Sequence, residues 1–169
     1  KVLKQGLPFD GGTNLLMKFY ANLAEAHYMQ LEPDPAFEYY EKALKLEPDN
    51  TFLLNNYSYF MALQKKNLSR AEELSHRLIK LAPNVGTYED TYAWVLFMQE
   101  KYEPARQMLE QALTHGGASN PAILEHYGDV LFKLGDREKA LEYWQKAKNA
   151  GASSEVLIKK INTQTWHEK

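Results

Sequence analysis

One series of small and aromatic residues returns along the chain at nearly constant spacing, and it limits the fold more than any other feature. Tyr127-Gly128 leads twelve residues on to Ala140, then to Trp144 and Ala147. Tyr92-Ala93 leads to Ala105, Leu109 and Ala112, Tyr57-Ser58 to Ala71, Ser75 and Leu78, and Leu23-Ala24 to Ala36, Tyr40 and Ala43. The steps between Ala36, Ala71, Ala105 and Ala140 are 35, 34 and 35 residues. Five residues after each series stands a helix-ending position: Pro48, Pro83, Gly117 or Ala152.

Apolar residues three and four apart make one apolar face on a helix. Each unit of about 34 residues carries two such faces. Short polar turns separate them: "LEPD", "KKNLS", "EKYE" and "KLGDR". The pattern predicts two antiparallel helices per unit, with small residues where the pair approaches closely and an aromatic such as Tyr40 or Trp144 beside them. One pair cannot bury its apolar surface alone, so neighbouring pairs must stack. In "GDVLFKLGD", Gly128 then reads as a close-packing helical residue and Gly135-Asp136 as a turn. No GxxxxGK[ST] phosphate loop occurs in the chain.

These spacings and residue types resemble the tetratricopeptide repeat family, over residues 17 to 152 in four units. The fourth unit matches best, through Leu124, Tyr127, Gly128, Leu131, Gly135, Ala140, Trp144 and Ala147. The second departs most, with an extra turn residue, Ser75 in place of a large residue and Leu78 in place of alanine. The resemblance implies an all-α fold, a right-handed α-α superhelix of stacked antiparallel helix pairs, with about four repeats and a C-terminal capping helix. Expected boundaries are 1–16 (remnant helix and loop), 17–50, 51–85, 86–120 and 121–152 (the four units), and 153–169 (capping helix and tail). In the cap, Ser153 or Ser154 starts the helix, Val156, Leu157, Ile158 and Ile161 form its apolar face, and Lys159 and Lys160 its wet one. The start, "KVLKQGLPF", reads as the end of an earlier helix, with "DGG" at 10–12 as a loop. The whole reads as the C-terminal array of a larger bacterial protein.

Composition narrows the function. The chain has 169 residues, 25% of them charged, a net charge of -2 and no cysteine. That balance argues against a nucleic-acid binder that works by neutralising phosphates and against a polybasic membrane surface. The longest apolar run, "YAWVLFM" at 92–98, is far short of the roughly 20 residues that a bilayer span needs. Without cysteine there are no disulfides and no thiolate ligands. His27, His76, His115, His126 and His167 fall in no zinc-type spacing. His27 reads as a satisfied near-core residue, and His126 as a partly exposed histidine beside Asp129. "LEPDP" and "LEPDN" lack the alternating oxygen ligands and turn glycine of a calcium loop. They read as helix ends and starts, capped by Asp34 and by Asp49 or Asn50. No Ser-His-Asp order or nucleophile elbow is present. We therefore expect no enzyme, no catalytic residues, no cofactor and no metal.

By the family resemblance, first helices line a concave groove that takes an extended peptide or a helix. The implied groove residues are Glu25, Tyr28 and Met29; Asn55, Tyr59 and Leu63; Asp90, Trp94, Phe97 and Met98; and Glu125, Asp129 and Phe132. Lys18, Ala21, Phe52 and Lys133 fall at the same kind of place. Trp94 is either a groove anchor or packs on the neighbouring first helix. Four acids (Glu25, Asp90, Glu125, Asp129) against Lys18 and Lys133 imply a protein or peptide partner that is apolar or aromatic with some basic character. The family's carboxylate-clamp positions hold Ala21, Glu25, Asn56, Thr87 and Thr91, so only the asparagine of that clamp is kept. The function implied is a non-catalytic protein-protein interaction scaffold. The alternatives are an accessory region of a larger enzyme, or a self-assembly module that pairs through an uncapped N-terminal edge. A base-reading RNA repeat would need a basic groove. Stretches such as "DTYAWVLF" are similar in style to bacterial arrays of the cell envelope, although the cytoplasm stays open.

Overall fold

The computed structural model describes residues 11–167, and every regular element among them is helical. The helices are α1 (Gly11–Met29), α2 (Pro33–Leu46), α3 (Thr51–Leu63), α4 (Leu68–Leu81), α5 (Gly86–Met98), α6 (Tyr102–Thr114), α7 (Pro121–Lys133), α8 (Arg137–Asn149) and α9 (Glu155–Thr163). A single 3-10 turn, Gly117–Ser119, joins α6 to α7. The chain divides into two compact units, Lys1–Tyr57 and Ser58–Lys169, and the division falls inside α3.

In the first unit α1 and α2 pack as an antiparallel hairpin, with Asn14 at the start of α1 bonded to Glu47 past the end of α2 (3.2 Å). Met17, Ala21 and Ala24 of α1 meet Ala36, Phe37, Tyr40, Ala43 and Leu44 of α2 in the core. Tyr57 stacks on Tyr40 (5.1 Å) and tilts against Phe37 (5.4 Å). Asn50, one of the two expected caps, bonds the amide of Leu53 (3.1 Å) and starts α3. Asp34 is not a cap: α2 begins at Pro33, where a proline loses no helical hydrogen bond. Gly11 and Gly12 lie inside α1 rather than in a loop. The helix tail expected at 1–9 lies outside the described residues.

In the second unit α5–α6 and α7–α8 are hairpins that stack in sequence, and α9 packs on α8. The amide of Gly86 at the start of α5 bonds the carbonyl of His115 just past α6 (3.3 Å), which fixes the antiparallel sense. The repeating series is the core. Ala71, Ser75, Leu78, Ala105, Leu109, Ala112, Ala140, Trp144 and Ala147 are all buried. Ser75, the irregular member, returns its hydroxyl to the Ala71 carbonyl (2.6 Å) and so leaves no unpaired polar group in the core. Gly135 has φ +93°, the left-handed turn that ends α7. The "GDVLFKLGD" stretch is thus the end of one helix and a turn.

The cap helix starts as expected, with Ser154 accepting from the amide of Leu157 (3.1 Å). Its faces differ from expectation. Leu157 and Lys160 are the buried residues, and Ile158 is exposed. Lys160 belongs to the packed side because two carboxylates face it there.

Candidate functional site

The faces of α5, α7 and α9 carry a ladder of polar residues one repeat apart. Lys160 of α9 is fully buried, and its Nζ lies 2.8 Å from Glu125 Oε1 and 2.8 Å from both oxygens of Asp129. Asp129 Oδ1 also accepts the indole N–H of Trp144 (2.8 Å). Burial pushes the Asp129 carboxyl above its ordinary range, against the pull of the Lys160 ammonium. One step back along the array, Asp90 Oδ1 lies 2.7 Å from His126 Nδ1. The His126 ring stacks on Trp94 (4.0 Å), and Trp94 stacks on Phe97 (4.8 Å). Buried charges persist where partners and hydrogen bonds compensate their desolvation, and this ladder supplies both.

These contacts correct the expected groove. Trp94 is 1% exposed and packs on the neighbouring first helix, so it is no surface anchor. Phe97 is buried with it. Asp90, Glu125 and Asp129 are buried and paired inside the protein, so they offer no open charge to a partner. His126 is buried, not partly exposed, and its acid is Asp90 of α5 rather than Asp129 of its own helix. The remaining positions stay at least partly open. In the first unit Met29 is 82% exposed. Tyr28 and Asn55 are half-buried, as is Glu25, which accepts from Asn56 (3.2 Å). In the second, Tyr59, Leu63, Met98 and Phe132 are half-buried, with Phe132 stacked over Trp144 (5.6 Å).

Two residues escaped the sequence reading. Lys160 carried a usable signal: it stands 35 residues after Glu125, which stands 35 after Asp90. Trp166 carried only its aromatic character. It lies beyond α9, beside Phe97 (6.0 Å between rings) and beneath Lys133 Nζ (3.9 Å to the ring centroid).

Chemically the ladder holds and orients; it does not present reactive groups. The His126–Asp90 pair has the composition of an acid-base couple, but its imidazole is 1% exposed beneath Trp94. His115 meets the buried Glu89 (2.7 Å) across the α5–α6 hairpin, where it ties the ends together. Among the described residues no group of three or more His, Asp and Glu could hold a metal ion. No described helix is long and apolar enough to cross a membrane.

Comparison with known proteins agrees with this architecture. Tetratricopeptide repeat profiles match residues 18–50 and 61–159. The type IV pilus assembly protein PilF of Pseudomonas aeruginosa is 28% identical over 145 residues, 82% of this chain. The chain spans about half (56%) of the length of that relative. Among solved structures, PilW, a type IV pilus biogenesis factor, superposes with a TM-score of 0.74 at 17% identity, over 88% of this chain and 70% of that one. MamA of Desulfovibrio magneticus does so with a TM-score of 0.69 at 19% identity, over 88% and 82%. At these identities the structural likeness shows the fold, an all-α solenoid of stacked helix pairs. The family's members are protein-interaction scaffolds and generally non-catalytic. With a family profile over more than half of its length and the core series in register, this chain belongs to the tetratricopeptide repeat family.

Proposed function

We propose that the chain is a non-catalytic scaffold that docks a peptide or helix of a protein partner on the first-helix faces of its repeats. The observation that carries this reading is the set of apolar and aromatic side chains left partly open on first helices. These are Tyr28 and Met29 in the first unit and Tyr59, Leu63, Met98 and Phe132 in the second. Apolar surface of this kind marks binding faces. The partner is apolar or aromatic. The basic character expected of it loses its support, because three of the four acids behind that expectation are consumed inside the fold. The likeness to PilF supports type IV pilus assembly as the setting.

The test is a capture experiment on lysate of the native host with wild type and a Tyr59→Glu, Met98→Glu double variant that keeps its helical circular dichroism. A protein retained by wild type and lost by the variant is the expected outcome. Equal retention by both would overturn the assignment of the face.

Self-association is a second reading, favoured by Leu15 (70% exposed), Leu16 and Phe19 (55%) at the N-terminal part of α1. Sedimentation equilibrium decides it: a concentration-dependent mass that Phe19→Glu abolishes supports pairing through α1, and a constant monomer mass overturns it.

A further inference from the structure

We propose that the recess at the ends of α5 and α7 is a docking site for a tryptophan-bearing segment of a protein partner, with Trp166 as its built-in occupant. The proposal rests on the first-helix reading above and gives that surface a ligand chemistry. The recess has a volume of about 260 Å³ and is lined by Lys65, Phe97, Met98, Glu100, Tyr102 and Lys133.

Its walls are formed in advance. Lys65 and Glu100 are the left-handed residues of two equivalent helix turns, at φ 51° and 62°. Each turn is pinned by the next amide: Lys66 N to the Met61 carbonyl (3.0 Å), and Lys101 N to the Leu96 carbonyl (2.9 Å). Tyr102 tilts against Phe97 (5.4 Å) and closes one side. A rigid recess loses little freedom when something enters it.

The resident side chain shows what the recess accepts. The Trp166 ring rests against Phe97 and under the ammonium of Lys133. A cation over a ring favours indole above other aromatics. Yet the hold is thin. The tail turns back at Gln164 (φ 50°), and one long backbone bond, Thr165 N to the Lys160 carbonyl (3.3 Å), secures it there. Thr163, Gln164 and Thr165 are exposed. The Trp166 Nε1 is buried with no hydrogen-bond partner. That unmet donor follows from the short tether to α9. A segment not tied to α9 can present its indole with the N–H toward an acceptor, so it is able to displace the tail.

The test is a titration of ¹⁵N-labelled full chain, followed by amide and indole resonances, with the peptide NTQTWH (the sequence of residues 162–167) and with NTQTAH as control. In a Trp166→Ala variant we expect saturable shifts at Phe97, Tyr102 and Lys133 with NTQTWH and none with NTQTAH. Wild type should need at least about tenfold more peptide, and its own Trp166 indole resonance should move toward a free-tail position as the peptide binds. Adding Lys133→Gln to Trp166→Ala should weaken binding roughly two- to fivefold. Absence of shifts at these residues in the folded variant would sink the proposal. So would an equal response of wild type with its Trp166 resonance unmoved. Failure here, with a partner still lost on Tyr59→Glu, Met98→Glu, would remove the tryptophan site and leave the scaffold reading standing.

Discussion

At Gly128 the packing leaves no room for a methyl group. A Cβ there would lie 2.5 Å from Trp144 Cδ1, 2.7 Å from its Nε1 and 3.0 Å from the carbonyl of Ala140. Trp144 cannot step aside freely, because Asp129 holds its indole N–H at 2.8 Å. Gly128→Ala would gain up to about 1 kcal/mol of helix propensity, while overpacking costs about 1–3 kcal/mol. The second effect wins, and we expect a net loss of about 1–2 kcal/mol by urea denaturation with the fold retained. A second residue sets an alkaline limit. Tyr127 donates to Glu110 (3.1 Å), and burial together with that carboxylate pushes its hydroxyl up to about 12. The folded chain holds this proton more tightly than the unfolded one. Tyr127 therefore subtracts nothing below the ordinary tyrosine range near 10 and lowers stability as pH rises from there to about 12. Tyr127→Phe should lose less Tm than wild type between about pH 9.5 and about pH 11.5, while Tyr40 and Tyr92, also raised by burial, leave a residual loss. An unchanged Tm-pH curve would refute the assignment. Close packing at Gly128 was legible in the sequence because it follows from spacing. The partner of His126 was not, since local spacing offers Asp129 and only the stacking of α5 on α7 brings Asp90 within 2.7 Å.

Helix α9 has nine residues, too few to persist alone in water. Its Ser154 cap and Leu157 were readable from residue type, but the role of Lys160 was not. On a helical wheel a lysine belongs to water. Here the array register overrides the wheel, because the step of 35 residues from Glu125 sets Lys160 against Glu125 and Asp129. The ion pairs do more to specify where α9 docks than an apolar residue would, which gives a sharp prediction. Lys160→Met leaves two buried carboxylates without their cation and should cost about 3–5 kcal/mol. Adding Glu125→Gln and Asp129→Asn to Lys160→Met should regain much of the loss, since the amide oxygen introduced by Asp129→Asn still accepts from Trp144. A cost of Lys160→Met below about 1 kcal/mol in chemical denaturation would mean that the cluster is wetter and weaker than its geometry indicates.

Across the whole molecule, repeat arrays draw stability from each unit and from its contacts with neighbours, so protection need not be uniform. The interior of the second unit concentrates the strongest contacts. Trp94 and Trp144 are buried there, and Asp90, His126, Glu125, Asp129 and Lys160 tie α5, α7 and α9 together. Residues 123–131 of α7 are buried without interruption. The first turns of α1 stand at the other extreme, with Leu15, Leu16 and Phe19 exposed and Met17 their one buried neighbour. Native-state hydrogen exchange should therefore rank α7 slowest. The first two turns of α1 should exchange at least about a hundredfold faster, which corresponds to roughly 2.7 kcal/mol less opening free energy. Lys160→Met should lower protection in α7 and α9 first and leave α1 and α2 unchanged, because contacts in an array reach only to neighbours. If all helices instead exchanged at one rate, and Lys160→Met shifted them equally, the chain would open as a single cooperative body and the ladder would stabilise all of it at once.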